Sequence, residues 1–107
     1  MKVNWEGIYP AVTTKFNQDE SLDFATFESN INAQIEAGID GVVVAGSLGE
    51  NSTLTHDEKQ QLLRSALSAS GGRVPVILCI AEQTTRDAIQ FVKDAEKNGA
   101  DGFMLLP

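Results

Sequence analysis

The fold is decided by the stretch from Val42 to Gln61, which reads VVVAGSLGENSTLTHDEKQQ. Its first four residues form a continuous apolar run, as expected of a strand that a parallel sheet buries on both faces. Gly46 and Gly49 then permit a tight or left-handed turn. Thr55 and Glu58 stand at capping-box spacing, which predicts the start of a helix. The stretch therefore predicts a buried strand, a glycine-flanked turn and a helix.

The turn between this strand and this helix is the place where chemistry is expected. Ligands of α/β folds bind beyond the carboxyl ends of the strands. Ser47, Leu48 and Glu50 follow the predicted strand directly. We therefore expect these three residues to lie where a ligand would bind.

On the amino-terminal side of this unit, the sequence predicts one more strand and one more helix. Residues 7–14 indicate a first strand, although Pro10 cannot donate a ladder hydrogen bond and an irregular start is expected there. Asp23 is predicted to cap a helix whose apolar residues recur at helical spacing. Gly38 is expected to end that helix, where a left-handed residue is favoured.

On the carboxyl-terminal side, strands and helices continue to alternate. A third strand is predicted over residues 74–81, and Thr84 and Asp87 stand at the spacing of a second capping box. The helix that follows is expected to stop at Gly99, and a fourth strand is predicted over residues 102–106. The predicted order is thus four strands alternating with three helices.

Two architectures fit this alternation. One is a complete doubly wound sheet, and the other is the first half of a (β/α)₈ barrel, which normally needs about 250 residues. Because the chain ends directly after a bare buried strand, we expect the half barrel. Residues 1–107 are therefore predicted to form the N-terminal half of a single TIM-barrel domain, with about the first four strands and three helices.

Composition excludes several classes of function. The formal net charge of −7 leaves no basic patch to neutralise the phosphates of nucleic acid or an anionic membrane surface. Cys79 is the single cysteine and lies in an apolar run, so we expect a buried, inert thiol and no disulfide. His56 has no second ligand at suitable spacing, so no metal is expected. Because no signal peptide or apolar membrane span is evident, a cytoplasmic location is expected.

Several short motifs occur in an order that resembles a known family. They are Thr14-x-Phe16, Leu22-Asp23, Gly38-x-x-Gly41, Gly46-Ser47-Leu48-Gly49-Glu50, Leu54, His56-Asp57-Glu58 and Pro75-Val76. The combination resembles the dihydrodipicolinate synthase and N-acetylneuraminate lyase family. Members of that family are (β/α)₈ barrels, usually tetramers, that act as class I aldolases or lyases. They form an imine between a lysine and a 2-oxo acid such as pyruvate, without a metal or organic cofactor.

The resemblance implies roles for three residues of this chain. The backbone amides of Ser47 and Leu48 would hold the carboxylate of the 2-oxo acid, since successive N–H groups in a turn form an anion site. The Ser47 hydroxyl would take part in a proton relay with tyrosines of later strands. Thr14, at the end of the first strand, would support the floor of the pocket.

The chain also departs from the family pattern. Family members more often have Thr where this chain has Leu48, and residues 80–85 differ from the small-residue loop of the synthases. Both features look more like the branch that includes deaminases and dehydratases of 2-oxo or cyclic-imine acids. The five lysines are expected to be solvated charges, so the imine-forming lysine and the relay tyrosines are expected beyond Pro107. The alternative from another class is a small doubly wound binding module without catalytic activity.

Overall fold

The computed structural model describes residues 1–106 and contains three α-helices packed on a parallel sheet; Pro107 lies outside the described residues. The elements in chain order are α1 (Phe24–Glu36), β1 (Val42–Val44), a short 3₁₀ helix (Asn51–Thr53), α2 (His56–Ser70), β2 (Val76–Ile80), α3 (Thr85–Lys97) and β3 (Gly102–Leu105). Within these residues, no helix has both the length and the apolar character needed to cross a bilayer.

The sheet has the strand order β1-β2-β3, and both pairs are parallel. Val42 pairs with Val76, and Ile77 pairs with Gly102. Every residue of β1 and β2 is buried, as the continuous apolar runs predict. Because the strands are parallel, their carboxyl ends meet at one edge of the sheet, where the turn after β1 also lies.

The predicted first strand, residues 7–14, is wrong as a regular strand. The segment runs parallel to β1 but forms only an isolated bridge between Ala11 and Val43. Two hydrogen bonds form this bridge: the Val43 amide donates to the Pro10 carbonyl at 2.9 Å, and the Val12 amide donates to the Val43 carbonyl at 2.9 Å. Pro10 accepts a hydrogen bond but has no N–H to donate, so a continuous ladder cannot pass through it.

The predicted helix starts are confirmed. The Asp23 carboxylate accepts from the Thr26 amide at 3.1 Å. Thr55 and Glu58 form a reciprocal capping box, in which each side chain accepts from the other residue's amide, at 3.1 and 2.9 Å. At Thr84 the hydroxyl accepts from the Asp87 amide at 3.1 Å. Local side-chain chemistry therefore fixes where all three helices begin.

One apolar core joins the helices to the sheet. Phe27 and Ile31 of α1, Leu62 and Leu63 of α2, and Phe91 of α3 are almost fully buried against the strands. Burial of side chains of this size contributes roughly 1.5–3 kcal/mol each relative to exposure. This packing makes the sheet edge a rigid support for the turn after β1.

Candidate active site

The turn after β1 begins with an unusual backbone conformation. Ala45 is buried and has a φ of 56°, in the left-handed region that residues with a Cβ seldom adopt. Glu50, at the other end of the turn, has a φ of 60°. Two backbone hydrogen bonds close the turn: the Glu50 amide donates to the Ser47 carbonyl at 3.1 Å, and the Asn51 amide donates to the Gly46 carbonyl at 3.0 Å. The chain therefore reverses sharply between the strand and the 3₁₀ helix.

Two successive amides of this turn have no hydrogen-bond partner in the part of the chain that the structure describes. Among residues 1–106, no acceptor is found for the backbone N–H groups of Ser47 and Leu48, and both residues are exposed. Consecutive N–H groups in a tight turn form a concave site that favours an anion. The geometry of the turn therefore suits an anion, and a carboxylate is the anion that the family resemblance implies here.

Thr14 lies beneath the turn. It is buried, and its hydroxyl donates to the Gly49 carbonyl at 2.5 Å. A Cβ at Gly49 would lie 3.0 Å from the Val12 carbonyl oxygen, so the turn packs closely on the same N-terminal segment. The Thr14 side chain thus supports the turn by binding the backbone of the turn.

An open cleft of about 510 Å³ lies at the carboxyl edge of the sheet. Its lining includes Ser47, Asn51, Lys59, Glu82, Gln83 and Leu106. Ser47 is therefore brought together with residues that follow β2 and β3. Leu48 and Thr14 are not among the lining residues: Leu48 is 68% exposed, and Thr14 is buried beneath the turn.

Lys59 contradicts the expectation that all five lysines are solvated. It is 5% exposed, and its Nζ lies 3.4 Å from Oε2 of Glu82. The same Nζ lies 5.6 Å from the centroid of the Phe91 ring, in cation–π geometry. The expectation was wrong because α3 and the loop after β2 cover this face of α2, and the ammonium group is paired inside the cleft.

His56 extends this charged cluster towards the surface. Its Nδ1 lies 3.7 Å from Oε1 of Glu82, and its Nε2 lies 3.1 Å from Oδ2 of Asp94. The ring also packs edge-on against Phe91, with centroids 4.7 Å apart. His56 thus connects α2, α3 and the loop after β2.

Cys79 is fully buried, as predicted from the apolar run around it. Burial raises the pKa of its thiol above the ordinary value, because the thiolate would lose its hydration. The thiolate is the nucleophilic form, so this position is unsuited to covalent chemistry.

Lys59 and Asn51 line the cleft, although neither was predicted to lie there. The spacing of Lys59 in the helix indicates that it is buried. Lys59 precedes Leu62, Leu63 and Ala66 by three, four and seven positions, so it shares their buried helix face. The sequence around Asn51 contains no pattern that predicts its burial in the cleft. Its side chain bonds a strand-end carbonyl, Ala45 O, at 2.7 Å, and only the folded turn brings the two groups together.

The sequence of this chain is similar to the sequences of known proteins. The chain is 41% identical to 4-hydroxy-tetrahydrodipicolinate synthase of Salinibacter ruber, over 95% of this chain and 34% of that protein. It is 37% identical to an uncharacterised DapA-like lyase of Rhizobium meliloti, over 100% of this chain and 36% of that protein. The chain thus spans about a third of the length of these relatives.

Solved structures agree with this similarity. The crystal structure of dihydrodipicolinate synthase DapA-2 from Bacillus anthracis superposes with a TM-score of 0.93 at 34% identity, covering 98% of this chain and 36% of that chain. YagE from Escherichia coli, in complex with pyruvate, superposes with a TM-score of 0.90 at 34% identity, covering 96% of this chain and 35% of that chain.

These similarities decide between the two predicted architectures. The parallel sheet and its helices match part of a (β/α)₈ barrel, which favours the barrel over the small doubly wound module. The model of the dihydrodipicolinate synthetase family matches residues 4–107. The chain belongs to that family.

Proposed function

We propose that this chain is the N-terminal half of the barrel of a longer lyase or aldolase, which forms a Schiff base with a 2-oxo acid such as pyruvate. The observation that carries the proposal is the pair of amides at Ser47 and Leu48, which lie beyond the carboxyl end of a buried parallel strand and have no acceptor among residues 1–106. A 2-oxo acid offers a carboxylate that such a pair binds, and it places the reactive carbonyl next to that carboxylate. The pyruvate named in the structure of YagE is consistent with this substrate class.

The Ser47 hydroxyl is the proposed proton carrier. Ser47 lines the cleft, and its own amide is one of the two that would hold the carboxylate. A hydroxyl in that position passes protons between substrate and solvent when further hydroxyl groups continue the relay. We propose that tyrosines beyond Pro107 supply those groups, and that Thr14 contributes through its hydrogen bond to Gly49.

The imine-forming lysine is also proposed to lie beyond Pro107. Imine formation needs a neutral amine that faces the substrate carbonyl. Lys59 is the buried lysine of the cleft, but its ammonium group is paired with Glu82. Lys2, Lys15, Lys93 and Lys97 are not among the residues that line the cleft.

The choice of subfamily within the family rests on Leu48. An apolar side chain there removes a hydroxyl that could have contacted a polar substrate group. We therefore propose the subfamily of deaminases and dehydratases of 2-oxo or cyclic-imine acids. The proposed enzyme uses no metal or organic cofactor, is cytoplasmic and assembles as a homotetramer.

Ser47→Ala in the full-length polypeptide tests the role of the hydroxyl. Turnover should fall by about 10²–10⁴-fold, because general acid–base groups contribute about that much. The KM for the 2-oxo acid should change little, because the two backbone amides remain. Ser29→Ala, at an exposed position on α1, is the matched control. Near-normal turnover of Ser47→Ala would remove the hydroxyl from the mechanism.

A further inference from the structure

We propose that Asn51 is a positioning residue, which sets the direction of the Ser47 and Leu48 amides and so the affinity for the substrate carboxylate. This inference rests on the proposed function, because it concerns the same anion-binding turn. Asn51 is not expected to touch the substrate. It acts through the backbone at the end of β1.

The first observation is the double attachment that Asn51 makes. Its Nδ2 donates to the Ala45 carbonyl at 2.7 Å, and its backbone N–H donates to the Gly46 carbonyl at 3.0 Å. Asn51 is 7% exposed, so these bonds face little competition from water. A single residue thus fixes the two carbonyls that immediately precede Ser47.

The second observation is the conformation of Ala45. A left-handed alanine persists only where its surroundings hold it, since its Cβ crowds the neighbouring carbonyl. The Asn51 side chain holds the carbonyl of this same residue. Without that hydrogen bond, Ala45 can relax towards an ordinary conformation, and a change in its dihedral angles rotates the peptide planes that follow.

The third observation is that the far side of the turn is held independently. Thr14 donates to the Gly49 carbonyl, on the opposite side of Ser47 and Leu48 from Ala45. The two free amides therefore lie between two fixed points. Loss of the Asn51 side-chain contact frees the Ala45 carbonyl, while the backbone bond to Gly46 and the far end of the turn stay in place.

The expected consequence is a loss of binding more than of turnover. A carboxylate that does not react is held similarly in the ground state and the transition state, so weaker positioning of the carboxylate raises KM without lowering kcat. We expect Asn51→Asp in the full-length polypeptide to raise the KM for pyruvate about 10- to 100-fold and to lower kcat by less than about tenfold, a smaller loss than that of Ser47→Ala, since Ser47 shifts with the turn but keeps its hydroxyl. Asp has the shape of Asn, but when ionised it cannot donate to the Ala45 carbonyl.

Thr53→Ala is the matched control. The Thr53 hydroxyl donates to the Glu50 carbonyl at 2.9 Å, so this change removes a hydrogen bond from the same 3₁₀ helix without touching Ala45 or Gly46. Its KM should equal that of the unmodified polypeptide. Asn51→Ala provides a second variant if Asn51→Asp fails to fold, and it should show the same KM increase.

The outcomes separate this inference from the proposed function. If the unmodified polypeptide turns over a 2-oxo acid and both Asn51 variants keep its KM, the positioning role is wrong and the proposed function stands. If both Asn51 variants and Thr53→Ala raise KM equally, the effect belongs to the 3₁₀ helix as a whole, and the inference is again wrong. If the unmodified polypeptide neither binds nor converts any 2-oxo acid, the proposed function fails.

Discussion

Removing the ammonium group of Lys59 should destabilise the fold far more than removing that of an exposed lysine. Lys59→Met keeps the length and apolar character of the side chain but leaves the Glu82 carboxylate without its cation. The side chains of the pair are 6% and 14% exposed, so both groups have lost most of their hydration. The change tests whether the cleft contains a structural ion pair or two independent charges.

The magnitude follows from the distance between the two groups. At 3.4 Å, the gross attraction is about 5 kcal/mol for an effective dielectric constant of about 20. Desolvation of both groups offsets part of this, yet removal of one partner from a buried pair typically costs about 3–5 kcal/mol. Because the Glu82 side chain keeps 14% of its exposure to water, which reduces the cost of leaving it unpaired, we expect a loss of about 2–3 kcal/mol.

The assay is urea unfolding at one fixed protein concentration, because self-association would make the midpoint depend on concentration. With a slope of about 1 kcal/mol per molar urea, the midpoint should fall by about 2–3 M. Lys93→Met, at an exposed position on α3, is the matched control and should change the free energy of unfolding by at most about 0.5 kcal/mol.

A double-mutant cycle with Glu82→Gln completes the test. Glu82→Gln should lower the free energy of unfolding much less in the Lys59→Met background than in the unmodified chain. In that background the substitution removes a carboxylate that has already lost its cation. Equal costs in the two backgrounds, or a Lys59→Met midpoint that matches Lys93→Met, would refute the buried ion pair.

Two further predictions concern the whole chain and one helix cap. The 107-residue chain should self-associate in sedimentation experiments, because β3 is the edge strand of the described sheet and its Met104 and Leu105 are 40% and 72% exposed. A monodisperse monomer with a well-dispersed NMR spectrum would contradict this prediction. Hydrogen bonds from the Thr26 hydroxyl and, as the smaller cause, from the Thr26 amide lower the pKa of the Asp23 carboxyl group. The ionised carboxylate therefore stabilises the fold above the unfolded-state pKa of about 4, and this stabilisation is lost as the pH falls through the lower pKa of the folded state. Asn caps a helix as well as Asp does, so Asp23→Asn should reduce the loss of unfolding free energy in acid; an unchanged pH profile would show that the cap is not linked to protonation.

The three helices and the three regular strands could be predicted because their signals are local. Asp23, Thr55 and Thr84 cap helices through groups three residues away, which the sequence displays directly. The apolar runs of β1 and β2 likewise predict burial on both faces. The N-terminal segment could not be predicted in the same way, because a ladder depends on every donor along the strand and Pro10 lacks one.

The missed parts of the site depend on contacts between distant elements. Lys59 is buried by α3 and by the loop after β2, so its polarity alone gave the wrong answer. Nothing in the composition of the turn indicates that Ala45 is left-handed, since Gly or Asn would be the expected residue there. The proposed role of Asn51 rests on that conformation, so the sequence alone could not indicate it.

The central claim is tested most directly by borohydride trapping with pyruvate, followed by mass spectrometry of the peptides. An imine between a lysine and a 2-oxo acid is reduced to a stable secondary amine, which marks the lysine that formed it. We predict one reduced pyruvate adduct on the full-length polypeptide, on a lysine beyond Pro107, and no stoichiometric adduct on the 107-residue chain. An adduct on Lys15 or Lys59 would place the reactive amine within this chain and contradict the proposed division of roles. Absence of any adduct on the full-length polypeptide would contradict the Schiff-base mechanism itself.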